Sequence, residues 1–261
     1  MILILCHLHD AEAAWLCQRL RQLAPATEVR LVSAEELLYA RGVRHTLGRA
    51  PASFALTLQN GQHVAGKDVT VLINRLCYLD PVLWQQRDAK QYQYVMQELN
   101  ALYLSILHSL PAERLYNPPT AVALGGRTLA PAEWQLLAAR VGLSIAAGWP
   151  PPPDQVPAPP EARVLVLDDE LLGTVPAGIA PEACRELARQ ADVRLLELHF
   201  TRQGAEYVVV GATTLAALHC YGDALVRHFL SVSTTLPLPA DGPDMGNTQR
   251  VARAALAGGV G

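Results

Sequence analysis

The sequence predicts an α/β fold in which a mostly parallel, doubly wound sheet is followed by a smaller α+β lobe. The chain opens on an uninterrupted aliphatic run, Ile2 to Leu5, which is typical of a parallel strand covered on both faces. Residues 11–23 then place apolar side chains at helical spacing, and this strand-then-helix order is that of a doubly wound sheet. Seven prolines between Gly148 and Pro160 divide the patterned sequence into two parts.

The first part, residues 1–147, contains two further aliphatic strands, Val29 to Val32 and Val69 to Asn74. Between them, residues 53–59 alternate apolar and polar up to Asn60-Gly61. This dipeptide tolerates positive φ, so a hairpin is expected there. An antiparallel hairpin is therefore expected beside the mostly parallel sheet.

The rest of the first part is expected to be mainly helical. One long helix, or two in succession, should run from Asp80-Pro81 to Leu110, because Asp suits the N-cap and Pro the first turn. A short strand around Thr120 to Leu124 and a helix over residues 131–141 are expected to follow.

Segment 148–161 is expected to be an extended linker, because a proline-rich chain resists helix and central strand. The second lobe, residues 162–236, is small, so its sheet must bury one face on the first lobe or in a homodimer. The tail, residues 237–261, is rich in Gly, Pro and Ala and is expected to fray. The elements predicted for the second lobe are strands 163–167, 193–200 and 206–210 and helices 181–190 and 215–230.

Composition excludes several classes of protein. The chain is 51% hydrophobic, which is enough for a large core, and its net charge of −3 provides no positive field for nucleic acid or for an anionic membrane. No apolar run reaches the roughly 18 residues of a membrane span. The five cysteines are scattered, which favours reduced, mostly buried thiols. A soluble, cytoplasmic protein with no nucleic acid partner is expected.

The order of elements in the first part resembles the pre-ATP-grasp domain of ATP-grasp enzymes, a family that includes glutathione synthetase, D-alanine ligases and peptide-modifying ligases. The strand that ends in Val-Leu-Ile is followed by Asn74-Arg75, and the long helix is followed by Tyr116-Asn117-Pro118. Comparable Asn-Arg and Asn-Pro steps occur at these places in several members of the family.

The second lobe resembles the closing strand pair and helix of the ATP-grasp catalytic core. In the family this strand pair carries the magnesium ligands: an acid on the first strand and a Glu-x-Asn triplet at the end of the second. Here the triplet falls on residues 211–213, where Gly211 replaces the Glu and Thr213 the Asn, while Glu197 remains as the first acid. Magnesium that bridges nucleotide phosphates needs several carboxylate oxygens. The family's middle segment, which supplies lysines to ATP, is replaced by the linker, and the chain has only Lys67 and Lys90.

The first candidate site lies where the first strand ends, at Cys6-His7-Leu8-His9-Asp10. Ligands of open α/β sheets bind at the carboxyl ends of the strands, so His7, His9 and Asp10 are candidates for contact with a ligand or partner. Cys6, His7 and His9 also have side chains that bind transition metals. Two observations oppose a metal site: strand alternation sends Cys6 and His7 to opposite faces, and Asp10 is well placed to cap the helix.

The second candidate site is Asn74-Arg75, which leaves a strand at the same predicted edge. An Arg there can present a bidentate fork to a carboxylate or phosphate, and the alternative is a salt bridge to a neighbouring acid. Glu197 is the third candidate, through the family resemblance. His199, His219 and His228 lie in the second lobe, but residues nine apart on a helix, such as 219 and 228, fall on opposed faces.

The preferred hypothesis is a catalytically degenerate ATP-grasp-like protein with no catalytic residue and no cofactor. It would bind a protein or peptide partner, such as a tailoring enzyme, in peptide or amino-acid tailoring of a natural product. The alternative is a carboxylate-amine ligase that uses ATP and Mg and is completed by a partner subunit. A third hypothesis is a small-ligand or metal-binding module at the corner formed by residues 6–10.

Overall fold

The computed structural model describes residues 1–47, 53–81, 88–121, 123–146 and 159–236. The predicted linker 148–161 lies mostly, and the tail 237–261 entirely, outside the described residues. Among the described residues, no helix is long and apolar enough to cross a membrane. The strands are β1 Ile2–Cys6, β2 Val29–Ser33, β3 Gly42–Thr46, β4 Ser53–Thr57, β5 His63–Ala65, β6 Val71–Asn74, β7 Leu115–Tyr116, β8 Ala162–Leu167, β9 Glu170–Leu172, β10 Leu195–Gln203 and β11 Glu206–Thr213. The helices are α1 Ala11–Leu23, α2 Ala34–Leu38, α3 Ala89–His108, α4 Pro131–Arg140, α5 Pro181–Gln190 and α6 Gly222–Thr235.

The first sheet is parallel and has the order β2-β1-β6-β7. Successive residues of β1 point to opposite faces: Ile2 and Ile4 pack with α1 and α6, whereas Leu3 and Leu5 pack with α2, α3 and the small sheet β3-β4-β5. The sheet is therefore covered on both faces, as the uninterrupted aliphatic run predicts. The fold is mixed α/β with one parallel and two antiparallel sheets.

The predicted hairpin is formed by β4 and β5. Its turn contains Gly61 at a φ of 84°, in the left-handed region that favours glycine. The hairpin pairs with β3 in a separate three-stranded sheet, an arrangement that the local pattern does not predict, because β3 is short and its residues are partly or fully exposed.

The second sheet is antiparallel and has the order β11-β10-β8-β9. One face is covered by α5 and by α4, whose Trp134 and Ala138 belong to the same core as Val164 and Leu198. Helix α4 therefore packs on the second sheet although it precedes the proline-rich segment.

The other face of the second sheet packs against the first lobe. Leu165 and Leu195 share one core with Ile4 of β1 and with Leu225 and Phe229 of α6. Helix α6 thus lies between the two sheets, and the small second lobe buries its face on the first lobe, one of the two arrangements expected from its size.

Three local predictions differ from the structure. The long helix α3 begins at Ala89 with Asp88 as its N-cap, and Asp80 instead accepts a hydrogen bond from the Tyr92 hydroxyl; residues 82–87 lie outside the described residues. The strand expected around Thr120 is a turn closed between Thr120 and Ala123. Helix α6 begins at Gly222, after a 3-10 turn over Leu218–Tyr221, so the last predicted helix starts too early.

Candidate functional site

A cleft opens where the first sheet meets the loop after β11. It encloses about 430 Å³. Three large apolar side chains are exposed at its wall: Leu8 is 62% exposed, Tyr78 58% and Leu215 38%. Its lining residues are His7, Leu8, His9, Asp10, Glu35, Arg75, Cys77, Tyr78 and Leu215. The cleft combines an apolar surface with polar groups at the carboxyl edge of parallel strands, which is where open α/β sheets bind ligands.

Asp10 and Arg75 form an ion pair at the base of this cleft. Nε of Arg75 donates to Oδ2 of Asp10 at 2.7 Å, and Nη1 donates to the carbonyl of Ala216 at 3.0 Å. Asp10 is also the N-cap of α1, since its Oδ1 accepts from the backbone N–H groups of Glu12 and Ala13. Both side chains are nearly buried: the Arg75 side chain is 7% exposed and the Asp10 side chain 14%. The salt bridge therefore holds the base of the cleft in place. The guanidinium of Arg75 donates its hydrogen bonds to oxygens of the protein itself.

His7 and Cys6 point to opposite sides of the first sheet, as strand alternation predicts. Nε2 of His7 accepts the backbone N–H of Cys77 at 3.1 Å, and its ring lies 4.7 Å from that of Tyr78. Cys6 packs in the core, where burial and then Asp10 raise the pKa of its thiol to about 12. The thiolate that a metal would need is thus strongly disfavoured at Cys6. His9 is exposed on the wall of the cleft.

Asn117 joins the two lobes at the end of β7, and Asn74 at the end of β6 holds Asn117 in place. Nδ2 of Asn74 donates to the carbonyls of Asn117 and Leu124 at 2.9 and 2.6 Å, and Nδ2 of Asn117 donates to the carbonyl of Thr214 at 2.9 Å. Both amides are buried. With Arg75 on Ala216, they hold the loop after β11 in place, which gives the Asn-Arg and Asn-Pro steps a structural role at the lobe junction.

Glu197 lies on β10 at 1% exposure and is bonded on both oxygens. Oε1 contacts Nη1 of Arg163 at 3.1 Å and Nε2 of His199 at 2.5 Å. Oε2 accepts from the backbone N–H of Ala217 and from the hydroxyl of Tyr221, both at 2.9 Å. Burial would raise the pKa of Glu197, but the hydrogen bonds from His199, Tyr221 and Ala217 outweigh it and lower that pKa. Glu197 is therefore an ionised, fully bonded carboxylate.

The two altered triplet positions lie on β11, across the strand pair from Glu197 and His199. Thr213 is the cross-strand partner of Glu197, and Gly211 is opposite His199. A Cβ added at Gly211 would lie 3.5 Å from Nδ1 of His199, so the imidazole occupies the space beside the position where the family has a carboxylate. Within this chain, Glu197 is therefore paired with the Arg163 guanidinium and hydrogen-bonded to His199.

These residues do not fit a magnesium ion that bridges nucleotide phosphates. Such an ion needs several carboxylate or amide oxygens with free lone pairs. At this place the structure offers one carboxylate whose oxygens already accept four contacts, beside a Gly and a Thr. Within the described ranges, no group of three or more His, Cys, Asp or Glu side chains is arranged to hold a metal ion.

A second carboxylate cluster, partly buried, surrounds Asp168 in the turn between β8 and β9. Asp168 accepts from the Tyr116 hydroxyl at 2.8 Å, Nε2 of His228 at 2.8 Å and Nε of Arg194 at 2.6 Å. Burial acts to raise the pKa of Asp168, but these three partners lower it to about 2. Burial likewise opposes the charging of His228, yet Asp168 and Glu170 raise its pKa. The cluster is a charged contact that joins the β8–β9 turn to β7, to the residue before β10 and to α6.

The three histidines of the second lobe have separate carboxylate partners. His199 contacts Glu197, His228 contacts Asp168 and Glu170, and His219 contacts Glu12 on α1. No motif in the sequence marks Arg163, Tyr221 or Asp168 as members of these clusters. Their partners are distant in sequence, so no local pattern marks them.

No protein-family model matches this sequence, and no curated protein matches it. Solved structures do match. The ATP-grasp ligase PsnB with minimal precursor, Mg and ADP is 14% identical, with a TM-score of 0.63 over 89% of this chain and 98% of that chain. The Chryseobacterium gregarium RiPP-associated ATP-grasp ligase, with ADP and a leader and core peptide, is 13% identical, with a TM-score of 0.63 over 91% and 97%.

A third similar structure is the macrocyclase MdnC from Microcystis aeruginosa MRC, bound with precursor peptide MdnA. It is 11% identical, with a TM-score of 0.63 over 90% of this chain and 100% of that chain. The chain therefore has an ATP-grasp-like fold, which confirms the prediction made from the order of its elements.

Proposed function

We propose that this chain is a catalytically degenerate ATP-grasp-like protein that binds a peptide and serves as an accessory partner in peptide tailoring. The bonding of Glu197 carries the proposal. Its two oxygens accept from Arg163, His199, Tyr221 and Ala217, which leaves no carboxylate for a magnesium ion where the ATP-grasp resemblance implies one.

The charges around Glu197 also disfavour the binding of a divalent cation there. The Arg163 guanidinium lies beside the carboxylate, and His199 fills the space next to Gly211. A divalent cation would have to displace Arg163 and leave it near a like charge, which is costly in a partly buried site. A binding role needs neither magnesium nor phosphate contacts.

The chemistry of the cleft supports a peptide as the ligand. Leu8, Tyr78 and Leu215 provide exposed apolar contacts, and His7 and His9 provide polar ones. Aromatic and apolar side chains around a few polar groups are typical of binding surfaces for peptides. All three of the similar structures are described as complexes with a precursor or with a leader and core peptide, which is a further reason to favour this class of ligand.

Calorimetric titration of the whole chain with Mg-ATP tests the degenerate character. We expect no heat of binding for the natural sequence. A variant with Gly211→Glu, Thr213→Asn and His199→Leu restores the triplet and removes the imidazole, so it serves as the matched comparison. Saturable Mg-ATP binding by the natural sequence would overturn the proposal.

Selection from a random peptide library displayed on phage tests the peptide role. We expect enrichment on the natural chain and its loss in the variant Leu8→Asp with Tyr78→Asp, which places two charges on the apolar wall. Leu136→Asp is the control, because Leu136 is 53% exposed on α4 and does not line the cleft. Equal enrichment on the natural chain and the double variant would reject the cleft as the peptide site.

The alternative, a ligase completed by a partner subunit, is favoured by one observation. The Asn74, Arg75 and Asn117 contacts keep the two lobes docked around the loop after β11. Mg-ATP binding that appears only when a partner protein is added would support this alternative over the accessory role.

A further inference from the structure

We infer that Cys220 is a site of thiol-disulfide exchange, with His219 as its general base and Glu12 as the residue that positions the imidazole. This inference is independent of the peptide-binding proposal. Cys220 is exposed, whereas Cys6, Cys17 and Cys184 are buried and Cys77 is partly buried. It is therefore the cysteine of this chain that a small disulfide reaches most readily.

The three side chains have the arrangement of an activated thiol. Sγ of Cys220 lies 3.5 Å from Nε2 of His219, and Nδ1 of His219 lies 2.6 Å from Oε1 of Glu12. The other oxygen of Glu12 accepts the backbone N–H of His219 at 3.0 Å. A nucleophile in contact with a base, which is in turn oriented by a third group, is the general signature of nucleophile activation.

Glu12 determines which ring nitrogen of His219 faces the thiol. A carboxylate at Nδ1 keeps the proton on that nitrogen, so Nε2 presents its lone pair to Sγ. Asp223, the nearest acid on α6, binds Arg19 through both of its oxygens. That pairing leaves Glu12 as the carboxylate that contacts His219.

The reaction is a balanced exchange. Nε2 of His219 takes the proton of Cys220, and the thiolate attacks one sulfur of a small disulfide. The old S–S bond breaks as the new one forms, and the departing thiolate takes the proton back from the imidazolium. One disulfide is consumed and one mixed disulfide is made, so no external oxidant is needed.

A mixed disulfide on Cys220 would affect the contact between Glu12 and His219. Glu12 lies in the first turn of α1, and His219 and Cys220 lie in the 3-10 turn before α6. A mixed disulfide on Cys220 would therefore place a bulky group beside a contact between the two lobes.

The test is the rate of reaction of the native chain with the aromatic disulfide dithionitrobenzoate, followed by peptide mass mapping. We expect one fast thiol, assigned to Cys220 and removed by Cys220→Ser. His219→Gln should slow it about tenfold at neutral pH, because the base is lost. This variant retains the backbone contact to Glu12, so the lobes remain joined there. Glu12→Gln should slow the reaction by a smaller factor.

The pH profile and a matched control separate activation from lobe docking. An unassisted thiol loses about tenfold in rate for each unit of pH below neutrality, so His219→Gln should show a steeper profile than the natural chain. Arg19→Gln breaks a neighbouring contact between α1 and α6 and should leave the rate unchanged. The inference is overturned if His219→Gln reacts as fast as the natural chain, if Arg19→Gln slows the reaction as much as Glu12→Gln, or if the fast thiol is Cys77.

Discussion

Asp10 and Glu197 are two carboxylates at the lobe junction, and each binds an arginine, but they lie in different surroundings. Asp10 and Arg75 stand at the base of an open cleft with exposed Leu8 and Tyr78 on its wall. Glu197 and Arg163 stand on a strand pair where four donors use both oxygens of the carboxylate. A carboxylate–arginine pair thus lies beside an open cleft in one place, and in the other forms a contact in which every carboxylate oxygen already has partners.

The difference bears on how a fold and a site depend on different residues. Apolar residues that pack the two sheets fix the order of the elements, and many of them share that task. A metal site depends on a few oxygens, so a Gly and a Thr, as at Gly211 and Thr213, would be enough to remove ligands from one. Likeness of fold therefore says little about reaction without the site residues.

The strongest test of the contact around Glu197 is Glu197→Ala. The substitution leaves the Tyr221 hydroxyl, the Ala217 N–H and the half-buried Arg163 without their shared acceptor. Each donor left unpaired costs about 1 to 3 kcal/mol, so together they should cost about 3 to 5 kcal/mol in free energy of unfolding. Urea denaturation measures this loss. Glu161→Gln, which alters an exposed carboxylate bonded to Thr201, should change the midpoint of urea denaturation very little. Equal midpoints for the two variants would mean that Glu197 is not the centre of the contact.

At the open cleft, Arg75→Met should cost about 3 kcal/mol, because it leaves Asp10 partly buried without its cation. Asp10 still caps α1 in this variant, so the loss should be smaller than for Glu197→Ala. Chemical denaturation of both variants gives the comparison. The exposed pair between Arg19 and Asp223 provides the control, since Arg19→Gln should change stability little. A larger loss for Arg75→Met than for Glu197→Ala would reverse the proposed ranking.

The contact between His228 and Asp168 differs from both of these sites because its contribution to stability depends on pH. The pKa of His228 is raised by Asp168 and Glu170 against the effect of burial. Its contribution is therefore complete below the ordinary pKa of histidine, about 6.5, and is lost as pH rises through the folded-state value. The pKa of Asp168 is lowered to about 2, so its contribution is present above about pH 4 and is lost toward pH 2.

We expect the natural chain to lose stability as pH rises from 5 to 9 because His228 loses its charge, and His228→Gln to lose less over the same range. Urea midpoints at several pH values measure both slopes. Parallel curves for the two proteins would show that the charge of His228 is not linked to folding.

The smallest expected effect on stability concerns the cleft wall. Leu8→Ser removes an apolar side chain that is 62% exposed, so the free energy of unfolding should change by less than about 0.5 kcal/mol. Leu136→Ser is the matched substitution outside the cleft. A loss of several kcal/mol on Leu8→Ser would show that Leu8 supports the fold, and its exposure would then no longer favour a binding role.

The sequence predicted the elements with strong periodicity. Helices α1 and α5 have the predicted bounds, and β1, β8 and the hairpin of β4 and β5 lie close to theirs. Helix α2 and strands β3 and β9 were not predicted because they are only three to five residues long, too short for a periodic pattern. The boundaries at residues 147 and 162 remain a prediction, and α4 packs with the second sheet although it lies before them.

Local sequence predicted the candidate edge of the first sheet, because its residues directly follow strand ends, whereas the triplet positions were implied by the resemblance to ATP-grasp enzymes. Only the tertiary structure decided the role of each residue. It paired Arg75 with Asp10, placed Arg163, His199 and Tyr221 on Glu197, and brought His219 to Glu12. Several of these partners lie tens to hundreds of residues apart. Such contacts depend on how the two sheets pack around α6, which no local pattern of residues specifies.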